Sequence, residues 1–311
     1  MWREQNVATR AEPLHFLGVA DRDVYNITAP FLDRGRWVIA GRVERRESEQ
    51  SEVYFFVQHG DAWHPLEGAP VFALQDPFVT RIGDELIFGG VETFIHPRGT
   101  PPKFLWWRTI LFRGRDVFDL RPFFIGPDGM KDLRLVQLRD GSVGVFTRPQ
   151  GKKGGRGKIG FTRVPHLDAL TVEAIDEAPL LEGLFLDEEW GGVNAAYLLP
   201  DGTIGVLGHI ACFDAEARRN YYALVFCFDP ERRVYSDVRV IAERRNFLAG
   251  PAKREDLTNV VFPGGLIRHE DGTAELYAGV SDVGAQKLII PDPFAGSMRV
   301  PASTSDERKT S

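Results

Sequence analysis

Carboxylates, amides and cations stand at corresponding places along this chain. Asp76 opens and Glu92 closes the apolar stretch Gln75-Asp-Pro-Phe-Val-Thr-Arg-Ile-Gly-Asp-Glu-Leu-Ile-Phe-Gly-Gly-Val-Glu92, which turns at Gly83. Counting back about seven to nine residues from the turn glycines Gly35, Gly83, Gly141, Gly202 and Gly272 gives Asn26, Asp76, Asp132, Asn194 and the pair Pro263-Gly264. Counting forward about seven to ten gives Arg42, Glu92, Arg148, His209 and Asp282. Such a mixture suits a polyhydroxylated ligand that also carries an anion. Amides and carboxylates match hydroxyl groups, and an arginine fork matches phosphate. Asp76 is the candidate general acid. Pro77 holds its backbone extended, and the apolar Phe78 and Val79 should bury it and raise its pKa. Asp132 follows Lys131, whose charge should keep it ionised, so it is assigned to substrate hydroxyls together with the rest of the ring: Asn26, Glu92, Asn194 and Asp282. Arg148 and His209, with Arg42 as a third, are the candidate phosphate clamp. Glu92 and Asp132 are the rival acids, and paired carboxylates would also serve ordinary glycoside hydrolysis. The plainer reading is that Asn, Asp and Gly end strands because they satisfy nearby backbone groups, and that His209 is a core histidine.

The elements that would position these groups are hairpins. Five copies recur: Pro30 to Arg42, Asp76 to Glu92, Leu133 to Arg148, Asn194 to His209 and Pro263 to Gly279; the last three share an Asp-Gly turn. In each, the start of the first strand and the end of the second meet at one end, away from the turn. The turn glycines are spaced 48 to 70 residues apart, the scale of a four-stranded blade with its loops. Glu52 to Val57, Phe104 to Phe112, Lys158 to Arg163 and Tyr221 to Phe228 supply further strands. The expected fold is an all-β, five-bladed β-propeller occupying residues 1–290, with 291–311 a loose or surface-strapped tail. Short helical turns are expected only at Leu167 to Ile175 and Asp214 to Arg219.

The 311 residues are 43% hydrophobic, enough for a sizeable core. A net charge of −6 argues against a nucleic-acid partner. No stretch approaches a membrane span, and the first residues carry no export segment, so the expected location is cytoplasmic. Cys212 and Cys227 have no metal-ligand spacing and read as buried strand residues. No metal and no organic cofactor is expected. Gly151 to Gly160 lacks the Walker spacing and reads as a mobile basic loop near the mouth. Lys253-Arg-Glu-Asp256 reads as a solvated turn, and Trp190 as a packing residue able to stack on a sugar.

Gln75-Asp-Pro-Phe-Val-Thr-Arg resembles the Glu-Asp-Pro-Arg motif of glycoside hydrolase family 130, the β-mannoside phosphorylases. Lys131-Asp132, Thr147-Arg-Pro149, Gly208-His209 and Tyr277-Ala-Gly-Val-Ser-Asp282 resemble later blocks in the same order. Asp23-Val-Tyr-Asn-Ile-Thr-Ala-Pro-Phe31, Gly129-Met-Lys-Asp-Leu-Arg134 and Trp190-Gly-Gly-Val-Asn194 are similar to blade entrances of the related mannosyltransferase/phosphorylase family, glycosyltransferase family 108. The resemblance, from about Asp21 to Asp282, implies a five-bladed propeller with a single acid. That acid would break a β-1,2-mannosidic bond with phosphate as nucleophile, inverting the anomeric centre to give mannose 1-phosphate, or run the reaction in reverse. It maps the acid to Asp76, sugar contacts to Asp132 and Asp282, and phosphate contacts to Arg148 and His209. Phe78 stands where family 130 has arginine, whose contacts are either missing here or supplied elsewhere, with Arg81 and Arg42 the candidates. The implied partners are a mannose-containing oligosaccharide and phosphate or mannose 1-phosphate. A hydrolase using water, with Glu92 or Asp282 as base, and a non-catalytic carbohydrate-binding propeller are the rival readings.

Overall fold

The computed structural model describes residues 10–95 and 105–296. The first nine residues, Phe104 at the head of one expected strand, and 297–311 of the expected tail lie outside them. Five antiparallel sheets succeed one another as the blades of a five-bladed propeller. All five expected hairpins form. Their first strands are Phe31–Asp33, Gln75–Ile82, Arg134–Gln137, Trp190–Leu198 and Val261–Arg268. Their second strands are Arg36–Glu44, Glu85–Ile95, Val143–Thr147, Ile204–Phe213 and Thr273–Val280. In the first blade Asp23–Tyr25 also pairs with the end of Arg36–Glu44. Each turn glycine has a positive φ, between 58° and 91°, which a side chain would strain.

Blades are held to one another by apolar packing, and the sequence shows why. Central strands bury both faces, so they read as continuous apolar runs rather than alternating ones; every residue of Val143–Thr147 is buried. One apolar cluster fills each interface. Val38 and Phe55 meet Phe88 between the first two blades, Phe78 and Leu111 meet Val145 next, Phe146 and Phe161 meet Phe226, Leu207 meets Leu276, and Ile27 and Phe56 meet Tyr277 where the last blade returns to the first.

The ring is closed by the amino-terminal residues. Arg10–Pro13 forms the outer strand of the fifth blade against Gly284–Pro291, and His15–Phe16 then pairs in parallel with Ala62–Pro65 of the first. Seven residues thus staple the two ends of the propeller and cover edges that would otherwise be open.

Some expectations shift. Pro291 ends a strand, Asp292 binds Arg268, and Phe294 is buried in the core between the fourth and fifth blades, so packing continues past position 290. Leu167–Ala169 and Val172–Asp176 are short helices as expected, but Asp214 to Arg219 is a turn closed by an Asp214 to Arg218 ion pair. Cys227 is buried and Cys212 only partly so, because Cys212 lies near the outer end of its strand. Among the described residues no helix is long and apolar enough to cross a membrane.

Candidate active site

In or ahead of the first strand of each hairpin the backbone is distorted, by a bulge in the second, fourth and fifth blades and by a left-handed residue ahead of the strand in the first and third. Pairing skips Asp76 and Pro77 in the second blade, Asn194 in the fourth and Gly264 in the fifth. Asn26, Asp76 and Asp132 have φ of 44°, 48° and 62°. A bulge re-aims a side chain out of the sheet plane, and a left-handed conformation is strained for anything but glycine, so both features mark positions fixed by their surroundings. The fifth copy is glycine for a steric reason: a Cβ on Gly264 would lie 1.6 Å from the Ile27 carbonyl oxygen. That blade contributes Asp282 instead, at φ 55° after the second strand.

Asp76 is 4% exposed and meets groups from the first and third blades. Asn26 Nδ2 donates to its Oδ1 at 2.8 Å and Arg42 Nη1 at 3.1 Å, while Lys131 Nζ lies 4.0 Å from Oδ2. Burial alone would raise this carboxyl, as the neighbouring Phe78 and Val79 suggested. Arg42 and Lys131, with the Asn26 and Arg42 hydrogen bonds, outweigh burial and hold it at about 2. The expected upward shift is therefore reversed: Asp76 rests as a carboxylate. Asp282 behaves in the opposite way. Burial pushes it up to about 6, opposed by Arg42 and Lys253 and reinforced by Asp76 and Glu49.

Asp132 is 1% exposed, with Arg148 Nε at 3.5 Å and Arg134 Nη2 at 3.6 Å. Burial would raise it, but Arg148, Lys131 and Arg134 prevail and keep it ionised, as Lys131 led us to expect. Neither of its oxygens has a hydrogen-bond partner among the described residues, and the same holds for Arg148 Nη1 and Asn194 Nδ2. Buried polar atoms without partners are costly, and Asp132, Arg148 and Asn194, which lie close to one another, hold several that could meet a polar ligand.

Arg148 donates from Nε to the Gly191 carbonyl at 2.7 Å and from Nη2 to the Arg156 carbonyl. The Gly191-Gly192 pair lets the chain pass close by: a Cβ at Gly192 would lie 2.7 Å from Arg148 Cδ, 3.1 Å from Asp132 Oδ2 and 3.2 Å from His209 Cε1. His209 Nδ1 pairs with Asn194 Oδ1 at 2.8 Å, and its ring stacks on Tyr221. Burial drives the imidazole down to about 3, against the pull of Asp132, and it is neutral at physiological pH. Nδ1 carries the proton that faces Asn194 Oδ1, so Nε2 is a hydrogen-bond acceptor. His209 thus stands beside Arg148 as expected, but not as a second cation.

Other residues lie elsewhere or were missed. Glu92 is partly exposed and bound to Arg108 Nε at 2.7 Å, outside the contacts of the ring. Arg81 is at the turn end, donating to the Leu32 carbonyl, so of the two replacements considered for the family 130 arginine only Arg42 reaches Asp76. Phe78 has a different duty: the Arg134 guanidinium lies 4.3 Å above its ring, in a cation–π contact. Trp190 is buried, with Nε1 bonded to the Tyr221 hydroxyl at 3.1 Å, and serves as packing. In the glycine-rich loop Lys158 binds backbone carbonyls of Phe185 and Glu189, and Arg156 lies over Trp190 and Phe213. Lys253 is no solvated turn residue. Its side chain is 4% exposed and bound to Glu44. Arg134 and Glu44 had a readable signal, since each lies two residues from a ring residue on the same strand face or strand end. Lys253 had none.

The family model described as protein of unknown function (DUF1861) matches residues 2–296. No curated protein matches the chain. Among solved structures it is similar to MPT-4, a mannose phosphorylase from Leishmania mexicana in complex with phosphate ion, at 35% identity, covering 94% of this chain and 92% of that one with a TM-score of 0.83. MPT-1, a GDP-Man-dependent mannosyltransferase from the same organism, is similar at 33% identity, 96% and 95% coverage and a TM-score of 0.85. A β-1,2-mannobiose phosphorylase from Listeria innocua, at 15% identity, 91% coverage of each chain and a TM-score of 0.63, shares the fold. With a family match over residues 2–296 and two relatives sharing a third of its residues over nearly their whole length, the chain belongs to the DUF1861 family and to the mannosyltransferase/phosphorylase family of the Leishmania proteins.

Proposed function

We propose that the protein transfers a mannosyl group between a β-1,2-mannoside and phosphate, with inversion and with Asp76 as the one side chain that moves the proton. The observation that carries this reading is the buried Asp76 carboxylate, gripped by Asn26 and Arg42, with Lys131 between it and Asp132, whose oxygens, like Arg148 Nη1, have no partner among the described residues. In phosphorolysis a phosphate oxygen attacks the anomeric carbon, the glycosidic C–O bond breaks, and the proton on Asp76 passes to the departing oxygen. The product is α-mannose 1-phosphate. In the reverse direction the acceptor hydroxyl gives its proton to Asp76 as phosphate leaves. A resting value of about 2 equips Asp76 first of all as the base of this synthetic direction. Phosphorolysis requires the proton to be taken up when substrate displaces part of its cationic surroundings.

Asp132, Asn26 and Asn194 are the sugar-hydroxyl ligands in this reading, Asp282 a further sugar contact, and Arg148 the principal phosphate ligand. His209 accepts a hydrogen bond from the phosphate or from a hydroxyl through Nε2, and Arg42 orients Asp76 rather than clamping phosphate. Positioning and electrostatics are sufficient for a displacement whose nucleophile is already an anion. The hydrolytic alternative needs a second carboxylate as base. Glu92 is occupied by Arg108, which leaves Asp282 for that role. The test is incubation with β-1,2-mannobiose: release of mannose 1-phosphate strictly dependent on phosphate supports the proposal, release of free mannose alone favours hydrolysis, and binding without turnover favours a lectin-like role.

A further inference from the structure

Behind Arg42 lies a charged cluster that the reaction as drawn does not use. Glu44 is 1% exposed, yet its carboxylate gathers four donors: the Tyr25 hydroxyl at 2.6 Å, Arg42 Nη2 at 2.7 Å, the Ser51 hydroxyl and the Lys253 ammonium. Lys253 arrives from the segment between the fourth and fifth blades, 209 residues away in sequence. Its Nζ also donates to the Ser48 carbonyl at 2.7 Å and to Glu49 Oε1 at 3.0 Å, and its backbone N–H donates to the Ser281 carbonyl at 3.0 Å, beside Asp282. A connecting turn would leave a lysine in water. Burying the ammonium against a buried carboxylate is costly unless the geometry of the pair is itself required.

Arg42 shows what the pair is for. Its guanidinium is shared between two carboxylates, Nη2 on Glu44 and Nη1 on Asp76, while Nε donates to Ser51 Oγ at 2.8 Å. We propose that Lys253 and Glu44 are positioning residues: Lys253 clamps and neutralises Glu44, Glu44 and Ser51 aim Arg42, and Arg42 is thereby left free to hold Asp76. Without the ammonium, the Glu44 charge is opposed by Arg42 alone, which is drawn from Asp76, and a negative charge behind Arg42 is uncovered. Asp76 is then easier to protonate. The other groups facing Asp76 are Asn26 and Arg42 of the first blade, Lys131 and Arg134 of the third, and Asp282 of the fifth. Of these, Asp282 feels Lys253 directly and Arg42 feels it through Glu44 and Glu49, which both cations share, and the Asp282 carboxyl moves upward as well when Lys253 is removed. The kinetic consequence rests on the reading of Asp76 as the proton-carrying group; the electrostatic one does not.

The experiment is carbon NMR of the full chain labelled at the aspartate carboxyl carbons, with Asp76 identified by the signal lost in Asp76→Asn. In Lys253→Met the Asp76 midpoint moves from its depressed position toward the ordinary aspartate value of about 3.9. Ser51→Ala, a small deletion that loosens Arg42 without touching a charge, moves it in the same direction, and Lys253→Arg returns it toward the parent. Turnover of Lys253→Met in the synthetic direction, where Asp76 accepts the proton, falls by about 10-fold, with KM for mannose 1-phosphate and the acceptor sugar within about threefold of the parent. An Asp76 midpoint unchanged in both Lys253→Met and Ser51→Ala overturns the proposal, and if Lys253→Met does not fold, Ser51→Ala decides by the same signal. A shifted midpoint in a protein that never forms mannose 1-phosphate upholds the positioning and rejects the proposed reaction instead.

Discussion

Asn26 and Asp76, fifty residues apart and on neighbouring blades, both adopt a left-handed backbone, and the amide of one donates to the carboxylate of the other at 2.8 Å. The strain at each position is offset in part by the buried contact that the two side chains make in this conformation. The junction of the first two blades is thereby tied to the orientation of the proposed catalytic carboxylate.

Asp76→Asn keeps the size and most of the hydrogen bonding of the side chain but cannot exchange the proton. Turnover in both directions is expected to fall by roughly 100-fold or more, with little change in mannoside affinity. Parallel kinetics of Asp76→Asn and Glu92→Gln check the assignment. Glu92→Gln should act modestly, through substrate binding or the Arg108 contact, and a reversed order of losses would transfer the acid role to Glu92.

Arg148→Ala removes the buried Nη1 that has no hydrogen-bond partner among the described residues. The expected effect is on phosphate: its KM rises by about 30-fold, the equivalent of about 2 kcal/mol for one charge-assisted contact, with a much smaller change for the sugar. Initial rates over a phosphate–mannobiose grid separate the two, and equal changes in both constants would show that Arg148 supports the site as a whole.

Gly192→Ala adds one methyl group where Arg148, Asp132 and His209 converge, 2.7 Å from Arg148 Cδ. Because the side chains, not the backbone, must shift, activity should fall by about 10-fold or more while the melting temperature changes by only a few degrees, about 1 kcal/mol of overpacking. Calorimetry alongside kinetics tests this. A loss of stability in proportion to activity would place the damage in the fold.

His209 is driven down to about 3, below the ordinary histidine value of about 6.5, so the unfolded chain takes up a proton that the folded chain refuses. The contribution to stability is complete above about pH 6.5 and is lost progressively as the pH falls toward 3. His209→Gln should therefore show a smaller drop in melting temperature between about pH 7 and pH 5 than the parent. Identical slopes would mean that His209 titrates normally.

The hairpins, their number and the end at which Asn26, Asp76, Asp132 and Asn194 gather were legible in the chain. Turn chemistry and strand polarity are local properties, and a repeated unit places equivalent residues at equivalent ends. The tertiary structure decided what those residues are electrically. Phe78 and Val79 are apolar neighbours of Asp76 in sequence, but Asn26, Arg42 and Lys131 reach it from other blades, and their combined pull reverses the expected shift. Likewise Glu92 pairs with Arg108 outside the contacts of the ring, and His209 stands beside Arg148 but is neutralised by burial. Lys253 sits in a segment whose composition suggests solvent, and only closure of the ring brings it onto Glu44. Local pattern sets where a strand starts and turns, whereas charge depends on distance in space, which the chain acquires only when the fifth blade meets the first.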